Sequence, residues 1–162
     1  MDYKKYIANI PNFPKDGIIY RDIQPLLEYK DAFFEAVVQM VDLIDIDEVE
    51  YFAGIESRGF IFAAAMSVLS DRGTKLIRKA GKLPNGSDLN SIEYGLEYGR
   101  DTIEMKRGSG KIVLVDDIFA TGGTIAAAEL LAETSGYEVL DKVCLVDIGI
   151  IKNHDVKCLV SY

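Results

Sequence analysis

Residues 111–124 read KIVLVDDIFATGGT, and TIAAAELLAETSG follows from Thr124. The aliphatic run Ile112–Val115 has the composition of a strand buried on both faces. It meets two consecutive acids, Asp116 and Asp117, then a Thr-Gly-Gly-Thr turn, and then a helical stretch closed by Gly136. A strand that enters a helix through a glycine turn belongs to a parallel α/β sheet, where ligands bind beyond the carboxyl ends of the strands. A carboxylate pair alone fits a metal or a polyol, and a glycine turn alone fits a phosphate. Together they point to a phosphorylated sugar.

The rest of the chain repeats this alternation. DAFFEAVVQMVDLI places Phe33, Phe34, Val37, Val38, Val41 and Ile44 on one predicted helical face. YFAGI from Tyr51 is a short buried strand, GFIFAAAMSVLSD a helix ending near Arg72-Gly73, TKLIRK another strand, and KVCLVDIGI the strand after the helix TIAAAELLAETSG. The pattern predicts an α/β fold with a mainly parallel central sheet and helices on both faces. Residues 80–109 break it with turn residues and alternating segments, which predicts a long excursion carrying a two-stranded ribbon. At 162 residues the chain is expected to be a single domain.

Acids outnumber bases 26 to 18, which argues against a general nucleic-acid binder, so an anion site must be locally basic. No apolar run approaches the roughly 20 residues of a membrane span. The amino terminus, MDYKKYIANIPNF, has no signal-peptide core, so the expected location is the cytoplasm. Cys144 and Cys158 show neither CxxC nor Cys/His spacing and read as reduced core thiols, while the only histidine, His154, reads as a surface-loop residue.

In chemical terms, Asp116 and Asp117 can accept hydrogen bonds from vicinal sugar hydroxyls. Gly122 and Gly123 can turn backbone N–H groups toward a phosphate at the helix start, and Thr121 and Thr124 can add hydroxyl donors. The lysine of a GxxxxGK[ST] loop and the spacing of GxGxxG are both missing, which weakens nucleoside-triphosphate and dinucleotide readings. Arg78, Lys79 and Lys82 form the one dense basic cluster, fit either for a pyrophosphate or for a solvated loop.

VLVDDIFATGGT resembles the phosphoribosyl pyrophosphate signature of the type I phosphoribosyltransferases. Four further segments are similar to the adenine-using branch of that family: FPKDGIIYRDIQPLL, GIESRGFIF, IRKAGKLP and YGLEYGRDTIEM. The resemblance covers most of the chain in the same order. It implies a type I phosphoribosyltransferase fold with an amino-terminal hood (about residues 1–30) and a flexible catalytic loop within residues 80–109. Asp116 and Asp117 would then hold the ribose hydroxyls, while Ala120, Thr121, Gly122, Gly123 and Thr124 wrap the 5′-phosphate. Glu56, Ser57, Arg58 and Gly59 match the pyrophosphate loop, with a cis peptide expected after the acid, and Arg78, Lys79 and Lys82 would add charge. Ile19, Tyr20 and Arg21 would form the adenine side of the hood, with Ile118 opposite. Without the resemblance, IIYRDI equally describes an edge strand with an aromatic core residue.

The implied reaction passes the 5-phosphoribosyl group from phosphoribosyl pyrophosphate to adenine, giving AMP and pyrophosphate. It would use Mg²⁺ held through substrate and water rather than directly by protein, in a homodimer with no nucleic-acid or membrane partner. Displacement at the anomeric carbon passes through an oxocarbenium-like state, and the attacking purine must shed a proton. The 6-oxopurine relatives carry an aspartate where this chain has Ala120. Glu97, beside Tyr98 in the mobile loop, is therefore the candidate base, with Arg58 as a second catalytic residue; an exposed ribbon glutamate is the alternative for Glu97. Tyr20 stands where phenylalanine is commoner, Ala80 where proline or a larger residue is, and the carboxyl-terminal connection is short. A 6-oxopurine enzyme and a non-catalytic phosphoribosyl-pyrophosphate-binding regulator are the competing functions.

Overall fold

The strand that carries the acid pair lies near the centre of the sheet and is longer than its aliphatic run. The computed structural model describes residues 1–84, 86, 88–96 and 99–162. After a 3-10 turn, Tyr3–Tyr6, the elements are β1 (Ala8–Pro11), β2 (Ile19–Asp22), α1 (Gln24–Glu28), α2 (Lys30–Asp42), β3 (Tyr51–Ile55), α3 (Gly59–Ser70) and β4 (Gly73–Lys79). There follow β5 (Leu89–Leu96), β6 (Gly99–Lys106), β7 (Gly110–Phe119), α4 (Gly123–Thr134), β8 (Tyr137–Asp147) and β9 (Lys157–Ser161). Among the described residues, seven strands form one sheet in the order β5-β6-β4-β3-β7-β8-β9, and β1 pairs with β2 apart from it.

The segment β4-β3-β7-β8-β9 is parallel throughout, and β6 joins β4 antiparallel. From β3 the chain crosses through α3 to β4 on one side, and from β7 it crosses through α4 to β8 on the other. The crevice between the carboxyl ends of β3 and β7 is thus the point where the winding reverses, the place such sheets use for ligands. Helices cover both faces, as the alternation predicts. One core packs α2 and α3, through Met40, Phe62 and Met66, against Phe52, Val113, Val115 and Val143. The other packs α4, through Ile125, Ala128 and Leu131, against Ile55, Ile77, Ile112 and Leu114.

Three expectations change. The ribbon is not a free excursion: β5 and β6 form it, and Arg78 and Lys79 of β4 pair with Glu104 and Ile103 of β6, so it extends the main sheet. Along α2 the core stripe is Ala32, Ala36, Val37 and Met40, so Phe34 points outward at 62% exposure and Val38 is only half-buried. Alanines supplied the inward face and left the larger side chains to the flank. The third change concerns β7, which continues through both acids to Phe119.

Candidate active site

Because β7 does not end before its acids, Asp116 and Asp117 alternate across the pleat, and both are buried, at 9% and 5% exposure. Asp116 stands in register with Cys144 of β8, and its Oδ1 accepts the Asp117 backbone N–H at 2.9 Å. Burial, reinforced by the neighbouring Asp117 charge, pushes the Asp116 carboxyl well above the ordinary range. Burial also raises Asp117, against the pull of the Arg58 guanidinium. Arg58 Nη2 lies 2.8 Å from Asp117 Oδ2, yet that oxygen receives no properly aligned hydrogen bond from the protein. That oxygen is held by the Arg58 charge rather than by a well-aligned hydrogen bond, which leaves it capacity to accept one from a hydroxyl or a water.

Two helix starts flank this pair. On the β7 side the chain turns at Gly122, whose φ of +77° suits glycine, into α4, and no side chain caps that helix. Phe119, Ala120, Thr121, Gly122 and Thr124 line a cavity of about 50 Å³ there. On the β3 side the Glu56-Ser57 peptide is cis, as the resemblance implied, and α3 begins at Gly59, likewise without a side-chain cap. An added Cβ at Gly59 would lie 2.6 Å from the Val115 carbonyl oxygen and 3.1 Å from Asp116 Oδ1, so only glycine lets the α3 start sit against the acid pair. Among the described residues neither start has a side-chain cap, although at α3 the Phe60 and Ile61 N–H groups already donate to the Ser57 and Arg58 carbonyls at 3.3 and 3.2 Å, and each start presents the positive end of a helix dipole. Two anion cradles therefore lie on either side of two buried carboxylates.

The pyrophosphate-loop candidates are drawn together only in part. Glu56 accepts from the Lys79 backbone N–H at 2.9 Å and from Arg78 Nε at 3.3 Å, which ties the ends of β3 and β4. Its carboxyl is partly buried, which acts to raise it, but those two donors outweigh burial and leave it below the usual range. Lys79 Nζ pairs with Asp101 at 3.0 Å, and the backbone N–H groups of Lys82 and Leu83 both donate to the buried Glu104. Arg78 and Lys79 are thus tethered to acids through their side chains, whereas Lys82 is held through its backbone and is exposed. Arg58 donates through Nη1 to Tyr20 Oη at 2.9 Å and to the Arg21 carbonyl at 3.1 Å, contacts that its place in the loop did not foreshadow. It joins the hood to the acid pair.

In the hood, β1 and β2 pair from Ala8–Asp22 to Pro11–Ile19. Tyr20 is half-buried with its ring edge-on to Phe13 at 5.2 Å, Ile19 is exposed, and the Arg21 guanidinium lies 4.0 Å over the Tyr162 ring. Ile118 packs at the edge of the α2–α3 core. Sequence reasoning missed His154. It does lie in a loop, but its side chain packs inward: its ring lies 4.3 Å from that of Phe119, Nε2 faces Asp147 at 3.4 Å, and Nδ1 is buried without a partner among the described residues. Nothing in the polar stretch IKNHD signals that return toward the phosphate turn. Glu97 and Tyr98 lie outside the described residues. The ribbon nonetheless reaches the site, since a Cβ at Gly123 would lie 3.4 Å from the Gly95 carbonyl oxygen. Among the described residues no cluster of three or more Asp, Glu, His or Cys side chains could hold a metal, and no helix is long and apolar enough to cross a membrane.

Comparison with known proteins agrees with this geometry. A family model described as the phosphoribosyl transferase domain matches residues 28–161. An adenine phosphoribosyltransferase of Hydrogenovibrio crunogenus is 44% identical over 93% of this chain and 89% of its own. One from Bdellovibrio bacteriovorus is 43% identical over the full length of both. Among solved structures, the adenine phosphoribosyltransferase of Thermoanaerobacter pseudethanolicus superposes with a TM-score of 0.90 at 33% identity, covering 99% of this chain and 98% of that one. The Saccharomyces cerevisiae enzyme, crystallised with an imino-altritol bisphosphate and adenine, gives a TM-score of 0.85 at 29% identity, covering 98% and 96%.

Proposed function

The chain belongs to the phosphoribosyltransferase family, and from that premise we infer its reaction and the work of its residues. It is an adenine phosphoribosyltransferase, which transfers the 5-phosphoribosyl group of phosphoribosyl pyrophosphate to adenine and releases AMP and pyrophosphate, a purine-salvage step. The observation that carries the assignment of roles is the pair of uncapped helix starts on either side of two buried acids, which matches a sugar bearing an anion at each end.

The α4 start, with Ala120 through Thr124, holds the 5′-phosphate, and Asp116 and Asp117 hold the ribose hydroxyls. Asp117 Oδ2, ion-paired with Arg58 but without a well-aligned hydrogen bond, would accept one there. Glu56, Ser57, Arg58 and Gly59 at the α3 start take the pyrophosphate, with Arg78, Lys79 and Lys82 along its far side. Adenine lies between the hood, where Ile19, Tyr20 and Arg21 are placed, and Ile118. As the anomeric bond stretches, positive charge grows on the sugar, and buried carboxylates close by are well placed to stabilise it. Glu97, which follows β5 in sequence, accepts the purine proton, and Tyr98 beside it belongs to the same segment. The hard oxygens of Asp117 and Glu56 fit Mg²⁺ through water, and when bound the ion would neutralise pyrophosphate oxygens.

We also place the enzyme in the cytoplasm, because its polyanionic substrate does not cross a bilayer unaided. A second copy of the chain covers the α2–α3 face. The support is chemical: α3 has no charged residue along its length, yet it exposes Ile61, Val68 and Leu69 beside Phe34. These helices border an apolar groove of about 470 Å³ in a chain of net charge −8, and an uncharged face suits a self-complementary contact. The deciding assay incubates the protein with Mg²⁺, phosphoribosyl pyrophosphate and adenine, hypoxanthine, guanine or xanthine in turn. AMP formed from adenine alone is expected. Nucleotide from a 6-oxopurine at a comparable rate, or sugar-phosphate binding without turnover, would overturn the reading.

A further inference from the structure

Cys144 of β8 and Cys158 of β9 are register partners across two adjacent parallel strands, and both belong to the core on the α4 face of the sheet. Both are free thiols; Cys144 is fully buried and Cys158 only half-buried. Neighbouring strands run about 4.8 Å apart, and a disulfide needs its Cα atoms roughly 4.4–6.8 Å apart, so closure needs side-chain rotation rather than a shift of strands. The reaction assigned above uses neither thiol. Because β9 is the edge of the sheet, the strand bearing Cys158 is held by hydrogen bonds on one side only.

We propose that Cys144 and Cys158 are a reversible dithiol–disulfide site that takes low-molecular-weight disulfides as its oxidant. The two sulfurs are unequal in a way that assigns their roles. The Cys144 thiol stabilises the Cys158 thiolate, which brings Cys158 below the ordinary thiol range, whereas its sulfur neighbour and then burial push Cys144 well above it. Cys158 is also the more accessible. Its thiolate attacks one sulfur of the oxidant, forming a mixed disulfide and expelling a small thiolate. Cys144 then gives up its proton to solvent and attacks the Cys158 sulfur, which expels the second small thiol. Overall the protein loses two electrons and two protons, and one small disulfide becomes two thiols. In a reducing cytoplasm such a bond is transient and reports redox state. When formed, it closes the stretch from Cys144 to Cys158 and fastens β9 to β8.

The experiment treats the folded enzyme with glutathione disulfide and follows free thiols, intact mass and migration on a non-reducing gel. Titratable thiols should fall from two to none, the monomer mass should drop by two hydrogens, the urea midpoint should rise, and dithiothreitol should reverse each change. Cys144→Ala should stop at one glutathionyl adduct on Cys158, and Cys158→Ala should remain unmodified while folded. Persistence of both thiols, a wild-type product that stays glutathionylated, a bond between chains, or an adduct on Cys144 in the Cys158→Ala protein would each overturn the proposal. Since readouts come from wild type as well, a variant that fails to fold does not remove the test.

Discussion

Gly59→Ala is the most demanding test of how α3 is seated against the acid pair. The added Cβ would sit 2.6 Å from the Val115 carbonyl oxygen, 3.1 Å from Asp116 Oδ1 and 3.2 Å from Asp116 Cα. Ordinary contact requires about 3.3–3.5 Å, so the start of α3 must retreat by roughly 0.7–0.9 Å. β7 cannot yield, because it is hydrogen-bonded to β3 on one side and β8 on the other. The helix is seated as closely on β3, where a Cβ at Gly54 would lie 2.9 Å from the Ala63 Cβ, so a retreat of its start loosens that contact too. Overpacking of this kind costs about 1–3 kcal/mol of stability. A displacement near 1 Å at a reacting group lowers the rate by about 10²-fold, close to 2.7 kcal/mol of barrier. Urea denaturation should therefore show a lowered midpoint, and kcat/KM for phosphoribosyl pyrophosphate should fall by about two orders of magnitude. Gly95→Ala is the control, because its Cβ meets nothing within 4 Å, and its stability should change by less than about 0.5 kcal/mol. Wild-type stability together with wild-type kcat/KM in Gly59→Ala would refute the packing argument.

Asp116→Asn should abolish most turnover yet raise the urea midpoint at neutral pH. The Asp116 carboxyl is raised in the folded protein, so the native state binds the extra proton above the unfolded value of about 3.9, and stability falls as pH rises through the folded value. The substitution should flatten that fall, and a midpoint lowered equally at every pH would contradict it. Gly122→Val should raise KM for phosphoribosyl pyrophosphate, since φ there is +77° and the Cβ would meet the Phe119 ring and Ile151 at 3.5 Å; an unchanged KM places the phosphate elsewhere. Glu97→Gln should cut kcat by about 10²–10⁴-fold and leave sugar-phosphate binding by calorimetry nearly unchanged, whereas equal losses in both indicate a structural role. Val68→Glu, at a position 86% exposed on α3, should shift sedimentation from dimer to monomer, and an unaltered coefficient would locate the contact on another face.

The parallel core was legible because each of its strands announces itself by composition. Val113, Leu114 and Val115 are fully buried, and no polar alternation confuses them with an amphipathic segment. Periodicity was a weaker guide on α2, where Ala32 and Ala36 face inward and Phe34 does not. Alanine fits either environment, so a pattern read from bulky residues alone rotates the helix. Residues 80–109 carried a ribbon signal that was correct, but its attachment to β4 rests on backbone pairing between segments distant in sequence, which leaves little trace in side-chain type. The acids at the end of the aliphatic run concealed two further pairs of β7 with β8, Ile118 with Val146 and Phe119 with Asp147.

The site was legible where a backbone turn makes it and illegible where a long side chain does. The Gly122-Gly123 pair was readable as a turn, whereas Gly59 was named only through the resemblance and its close approach to Val115 is a finding of the structure. The direction of the Arg58 side chain was not legible. A position in the pyrophosphate loop says nothing about where a guanidinium several bonds from the backbone will point, and here it reaches Tyr20, the Arg21 carbonyl and Asp117 together. Those contacts give Arg58 a second task. A group that bridges hood and acid pair must release some of its partners if it is to meet an incoming pyrophosphate. With the roles proposed above, the pyrophosphate and the hood would compete for one guanidinium, so binding at the pyrophosphate subsite would loosen the hold on β2. The same link gives Tyr20 a part beyond its ring. Its hydroxyl and the Arg21 carbonyl are the acceptors that hold Arg58 on the hood side, and a phenylalanine at position 20 would leave only the second.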